Sequence, residues 1–276
     1  MSAPTPVQEA SAPEAAVLVE QIGSIRRLIM NRPESRNALS EEMMHALSDE
    51  IEHANNDRQT HVIVLAANGP VFCSGHNLKE MTARRSDRDG GRHYYSLIMR
   101  TCAALMQSII NTPKIVIAEV QGMATAAGTQ LVATCDLAIC VNEANFCTPG
   151  VNIGLFCSTP MVALTRAVPR KQAMEMLVTG EQIDAHTAKA YGLVNRVVPK
   201  DYLRLVVDKY AMEIAAKSQT ALKFGKETFY RQADMNVADA YDLASLVMAE
   251  NMLAGDAKEG ISAFLEKRKA DWPDSK

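Results

Sequence analysis

The stretch over residues 122–155, GMATAAGTQLVATCDLAICVNEANFCTPGVNIGL, constrains this chain more than any other. Small residues at 124–128 (Ala124, Thr125, Ala126, Ala127, Gly128) lead out of a β-rich apolar segment into a short helix. Such a turn lets a ligand approach backbone N–H groups, because no bulky side chain stands in the way. The side chains that follow offer little proton chemistry. Gln130 cannot ionise, Gly150 has no side chain, Asp136 follows a buried helix and has a structural reading, and Glu143 lies in a polar turn.

The rest of the chain alternates short strands and helices. Val17–Ile22 and Ile25–Met30 are predicted as a hairpin across Gly23-Ser24. Ser40 is placed to N-cap a helix running to about Asn56, with Met43, Met44, Leu47, Ile51 and Ala54 on one face. HVIVLAA (61–67) and KIVIAEV (114–120) read as buried strands, the second entered at Pro113 after a helix over 91–111. Further strands are expected at 136–141 and 193–198. From about Asp201 the pattern is helical, and 256–269 carries an apolar stripe of Ile261, Phe264 and Leu265. The expected organisation is an α/β core over 17–200 and a helical region over 201–276.

Composition narrows the function. At 276 residues, 47% apolar and 22% charged, the chain fits a globular protein of one large or two small domains. A net charge of -3 without a long basic run argues against nucleic-acid and membrane-surface roles. No window approaches the roughly 20 apolar residues of a membrane span. Six cysteines without paired spacing read as free thiols in a reducing compartment. Residues 1–16 are rich in Pro, Ala and Ser, which predicts a disordered tail. They carry no positive residue, unlike a secretory or transit peptide, so a cytoplasmic protein is expected.

Several separated segments, taken in order, resemble the crotonase (enoyl-CoA hydratase/isomerase) superfamily over about residues 17–270. They are LIMNRPESRNALS, VFCSGHNLKEM, the 122–155 stretch, AVPRKQAMEMLVTGEQIDAHTAKAYGLVNRVV and EGISAFLEKRK. The resemblance implies a ClpP/crotonase-like spiral of ββα repeats with a C-terminal helical trimerisation region. It also implies a homotrimer or hexamer, an acyl-CoA thioester as ligand, and no cofactor beyond the CoA moiety. By motif, the backbone N–H groups of His76 and Ala127 would form an oxyanion hole. Two fixed donors aimed at a thioester oxygen stabilise its developing charge, and losing one such donor typically costs about 3 kcal/mol. Lys79, Phe264 and Lys267 match positions that contact CoA, the last two from across a subunit boundary. Glu34 stands where the family often has a basic residue.

The family's hydratases use two glutamates to ionise and add one water. Here Gln130 stands at the first position and Gly150 at the second. Neither can accept a proton as a carboxylate does, so ordinary hydration is not expected. Ser158 lies where some relatives place a nucleophile or acid. Both it and Cys157 lack a base adjoining in sequence, and polar capping of a helix near Pro160 is the plainer reading. The His76 ring is either a base or a group that packs beside the ligand. The histidines lack metal-ligand spacing, so no metal is expected. Two functional readings follow. One is decarboxylation, thioester hydrolysis or isomerisation through a bound enolate. The other is a non-catalytic acyl-CoA-binding regulatory protein.

Overall fold

The computed structural model describes residues 15–275, so the expected disordered tail lies outside the described residues except for Ala15 and Ala16. The strands are β1 (Val17–Ile22), β2 (Ile25–Met30), β3 (Val62–Ala67), β4 (Val71–Cys73) and β5 (Ile115–Val120). They continue with β6 (Met123–Thr125), β7 (Leu137–Val141), β8 (Asn145–Cys147), β9 (Ile183–Asp184) and β10 (Arg196–Val198). The helices of the core are α1 (Glu41–Asn56), α2 (Leu78–Ala83), α3 (Arg92–Asn111), α4 (Ala127–Thr134), α5 (Ser158–Ala167), α6 (Arg170–Thr179) and α7 (Ala185–Ala190). The C-terminal ones are α8 (Leu203–Ala215), α9 (Gln219–Gln232), α10 (Val237–Leu253) and α11 (Gly255–Glu266).

Two sheets form. One has the order β1-β2-β3-β5-β7-β10, the other β4-β6-β8-β9. The first is parallel apart from the β1–β2 hairpin. Its strand β3 is buried through Val62–Ala66, as expected of a parallel strand covered on both faces. In the chain, β3–β4, β5–β6 and β7–β8 each place one strand in each sheet before a helix follows. That repetition is the ββα spiral. Gly122 makes one of its tight passages possible, because a Cβ there would lie 2.1 Å from the Pro70 carbonyl oxygen.

Helix α1 begins as expected. The Ser40 hydroxyl accepts the Met43 N–H, Glu41 and Glu42 occupy the first turn, and the five predicted apolar residues are the buried ones. Strand β10 is shorter than the predicted 193–198. Asn195 Oδ1 takes the Ala138 N–H at 2.7 Å, so a side chain replaces a ladder bond just before the strand.

Helix α9 is fastened to the core by an ion pair. Lys226 Nζ donates to Asp136 Oδ2 (2.7 Å) and to the carbonyls of Ile109 (2.9 Å) and Lys114 (2.8 Å). Tyr230 donates to the other Asp136 oxygen, and the Val116 N–H also reaches the carboxylate. All three ammonium protons are therefore used, which offsets the cost of burying the charge. The structural reading of Asp136 holds. Helix α10, by contrast, has no buried residue. The predicted stripe on α11 is also exposed, with Phe264 82% accessible, so these apolar faces do not serve this chain's own core.

Candidate active site

Adjacent parallel strand ends gather residues that are far apart in sequence. Strand β4 pairs with β6 and β6 with β8, so the loops leaving all three emerge side by side. Residues 74–77, 126–127 and 148–153 are those loops, which bring together His76, Ala127 and Gly150. Ligands of parallel α/β sheets commonly bind beyond such carboxyl ends.

The His76 loop is held from behind by residues 36–39. The Leu39 N–H donates to the Gly75 carbonyl at 2.8 Å, and Ser74 N–H to the Arg36 carbonyl at 3.1 Å. In the parallel bridge between Leu39 and His76, the neighbouring Gly75 carbonyl makes the bond. His76's own N–H therefore faces away from Leu39. Asn77 then starts α2 by accepting the Lys79 and Glu80 N–H groups.

The second loop turns on Ala126, whose φ of 51° and ψ of -116° are unusual for a residue with a Cβ. Its N–H donates to the Cys147 carbonyl at 2.9 Å. The Thr129 hydroxyl lies 2.9 Å from both the Ala124 and Cys147 carbonyls, tying the start of α4 to β6 and β8. Ala127 is the first residue of α4, where an N–H has no intrahelical acceptor. Gly128 allows close passage over β4, since a Cβ would lie 2.1 Å from the Cys73 carbonyl oxygen.

Both acid positions are chemically quiet. Gln130 is buried, and its Oε1 faces the Cys102 thiol at 4.0 Å. Burial pushes that thiol up to about 12, so it remains a protonated, weak donor. Gly150 sits in a single turn of 3-10 helix over Pro149–Ile153. A Cβ on Gly150 would stand 2.9 Å from Cys157 Sγ and 2.9 Å from the Leu155 carbonyl oxygen. The position is closed rather than empty.

Cys157 shows how. Its buried thiol faces the Gly150 N–H, and burial raises its pKa more than that contact lowers it. The neighbouring Cys147 thiol is raised for the same reason, with Thr125 opposing. Neither is a ready nucleophile at neutral pH. Ser158 is exposed, and its hydroxyl donates only to the Phe156 carbonyl at 3.4 Å. It does not cap a helix near Pro160 as expected. Helix α5 begins at Ser158 itself and has no side-chain cap, because Pro160 fits within the first turn.

His76 is the one ionisable side chain on the loops at 74–77 and 126–127. Both ring nitrogens are shielded from solvent and lack a hydrogen-bond partner among the described residues. Burial lowers its pKa, and the Leu39 backbone offsets part of this. Lys79 is exposed on α2, and Phe264 and Lys267 lie at the end of α11. No cluster of three or more His, Cys, Asp or Glu able to hold a metal occurs among the described residues. Nor is any helix among them long and apolar enough to cross a membrane.

Sequence reading did not single out Gly75, Thr129 or the plugging role of Cys157. Gly75 could have been found from the Ser-Gly turn before His76. Thr129 and Cys157 carry no local signal, since their partners come from other strands and turns.

The fold is a ββα spiral with backbone loops gathered at the ends of its parallel strands, and comparison with known proteins identifies the family. The enoyl-CoA hydratase/isomerase family matches residues 20–275, and the chain belongs to that family. Enoyl-CoA hydratase domain-containing protein 3, mitochondrial, of Xenopus laevis is 49% identical over 94% of this chain and 86% of its own length. Its human counterpart is 46% identical over 91% of this chain and 82% of its own. The crystal structure of the human protein superposes with a TM-score of 0.89 at 46% identity, covering 93% of this chain and 100% of that one. An enoyl-CoA hydratase of Mycobacterium smegmatis gives 0.90 at 46% identity, covering 94% and 99%. The animal relatives are named as mitochondrial, which overturns the expectation of a cytoplasmic protein. That expectation rested on a lack of positive charge at 1–16, and an absence of charge places a protein nowhere.

Proposed function

We propose that this protein binds an acyl-CoA thioester with its carbonyl oxygen between the His76 and Ala127 N–H groups, and catalyses a reaction other than hydration. The observation that carries this reading is the contrast within one site. The two N–H loops are braced by Gly75, Ala126 and Thr129, while the acid positions hold a buried amide and a closed glycine. Decarboxylation, thioester hydrolysis and isomerisation each draw mainly on stabilising charge at the carbonyl oxygen. Ile153, Leu155 and Phe156 are exposed apolar residues just beyond Gly150, suited to an acyl chain.

The reading includes a homo-oligomer, trimer or hexamer. Val237, Tyr241, Leu246 and Phe264 are each at least 69% exposed on α10 and α11, a large apolar area for a monomer to leave in water. In such an assembly Phe264 and Lys267 would reach a neighbour's CoA, joined there by Lys79. A sedimentation experiment giving a monomer at micromolar concentration would remove this part.

The test of function is a mass-spectrometric screen against acyl-, enoyl- and malonyl-type CoA thioesters. The expected result is binding, turnover of at least one class, and negligible hydration of a short enoyl-CoA. Binding throughout with no turnover would favour the second reading, a regulatory acyl-CoA binder, which the protonated thiols and the missing carboxylates support. Failure to bind any CoA thioester would overturn both.

A further inference from the structure

We propose that residues 268–274 are a strap that holds α11 on the core as a clip, one that opens before the rest of the protein unfolds. The inference stands apart from the thioester reading. It begins from how α11 is attached. Among the described residues of that helix only Asp256 and Ala263 are buried, while Phe264 and Leu265 are 82% and 73% exposed. Apolar burial therefore does little to hold the helix, and polar contacts take its place.

Most of those contacts come from the chain that follows. Lys267 ends α11 in the left-handed region, with a φ of 58°, and the chain turns back along the helix. The Arg268 guanidinium pairs with Glu259 at 2.5 and 2.9 Å, and the Asp271 N–H donates to the same carboxylate at 2.9 Å. The Trp272 indole N–H crosses to the Ala216 carbonyl, 2.9 Å away at the end of α8. At the start of α11 the strap closes a reciprocal pair. The Asp274 N–H donates to Asp256 Oδ1 at 2.8 Å, and the Asp256 N–H to Asp274 Oδ2 at 3.0 Å. The Ser218 hydroxyl, at the N-cap of α9, donates to the other Asp256 oxygen at 2.7 Å. One buried carboxylate thus joins α9, α11 and the strap.

Two glycines make room for the strap. A Cβ on Gly260 would stand 3.1 Å from the Trp272 ring, and one on Gly255 would stand 2.7 Å from Asp274 Oδ1. Glycine is a weak helix former, so α11 gives up helical preference where the strap lies against it. Once the strap lets go, a 12-residue helix has too little of its own to persist in water. Strap and helix therefore open together, as a cooperative unit of low local stability. Phe264 and Lys267 stand at the far end of that unit, so their position depends on the clasp.

Trp272 is the chain's single tryptophan, so its emission reports the strap alone. The experiment is a urea titration at one protein concentration, followed in parallel by Trp272 emission and far-UV circular dichroism, with amide hydrogen exchange mapped without urea. Wild type is expected to lose the Trp272 signal at lower urea than the main dichroism transition, and its α11 amides to exchange faster than those of α4. Gly260→Ala strengthens the helix but crowds Trp272, and is expected to move the emission midpoint to lower urea while the dichroism midpoint stays. Asp274→Ala removes the acceptor of the Asp256 N–H and is expected to act in the same direction. Coincident transitions in wild type would overturn the proposal, as would an emission midpoint that neither variant lowers. Rapid exchange confined to 270–275, with α11 protected, would also overturn it, since that is a loose end rather than a clip.

Discussion

Gly75 and Ala126 meet where the loops that carry His76 and Ala127 begin: a Cβ on Gly75 would stand 3.0 Å from the Ala126 Cβ. The same added atom would lie 3.1 Å from the Thr125 carbonyl oxygen and 3.2 Å from the Ala127 nitrogen. Both residues have positive φ, 85° at Gly75 and 51° at Ala126. Each loop therefore fixes the other, and the separation of the His76 and Ala127 N–H groups follows from that contact. Ala126 is the strained partner, because it carries a Cβ in a region that glycine occupies more easily.

Gly75→Ala is expected to lower stability by about 1–3 kcal/mol, through an unfavourable φ and a clash with the Ala127 backbone. It should also weaken binding of CoA thioesters, since the Ala127 N–H must move. Ala126→Gly should act in the opposite direction on stability. Relief of about 1–3 kcal/mol of strain exceeds the roughly 0.4–1 kcal/mol that glycine adds in unfolded-chain entropy. Urea midpoints of both variants, with calorimetric affinities for one acyl-CoA, measure the pair. A destabilised Ala126→Gly protein would mean that the turn is not strained.

Rebuilding the hydratase acids is expected to fail for a steric reason. In Gln130→Glu/Gly150→Glu the new Cβ at residue 150 meets Cys157 Sγ and a backbone carbonyl, both at 2.9 Å. The Leu155 N–H also donates to the Gly150 carbonyl at 2.9 Å, so the turn is closed from both sides. Overpacking of this kind typically costs about 1–3 kcal/mol. The double variant should unfold at lower urea than wild type and show no gain in hydration of a short enoyl-CoA. Gly150→Ala alone should account for most of the stability loss.

The limits of sequence reading follow the same physics. Val17–Ile22, Ile25–Met30 and α1 were legible because long periodic patterns and a serine cap act over neighbouring residues. Strands of three residues, such as β4 and β6, show no period, so the second sheet came only through the family resemblance. Gln130 and Gly150 could be named by motif, but the closure of Gly150 by Cys157 could not. That contact depends on a turn bringing back a residue seven positions on. The sequence carries no sign of the role of Lys226 for a similar reason, as its three acceptors come from α3, the entry to β5 and the entry to β7.

Acid should destabilise the protein through His76. Its folded pKa lies below the ordinary histidine value because of burial. As pH falls through about 6.5, the unfolded chain takes up a proton that the folded protein does not. The unfolded state then binds more protons, and stability declines by at most about 1.4 kcal/mol per pH unit until the folded pKa is reached. The Asp57, Asp89 and Asp184 carboxylates are held below their ordinary range, so their contribution is lost only at lower pH. Chemical denaturation at pH 7.5 and pH 5.5 should show the decline in wild type and a smaller one in His76→Asn. Equal slopes in the two proteins would place the titration elsewhere.

The Lys226–Asp136 pair should be costly to break and cheaper to remove. Both groups are largely buried, with side-chain exposures of 3% and 11%. Asp136→Asn would leave the ammonium among carbonyls without its counter-charge. Lys226→Met would leave the carboxylate with only Tyr230 and the Val116 N–H. Each single change is expected to cost about 3–5 kcal/mol, because an uncompensated charge stays buried. The double variant carries no unpaired charge there, so its loss should be well below the sum of the two. A double-mutant cycle by urea unfolding measures the coupling. Simple additivity would show that Lys226 holds α9 through the Ile109 and Lys114 carbonyls, with the carboxylate contributing little.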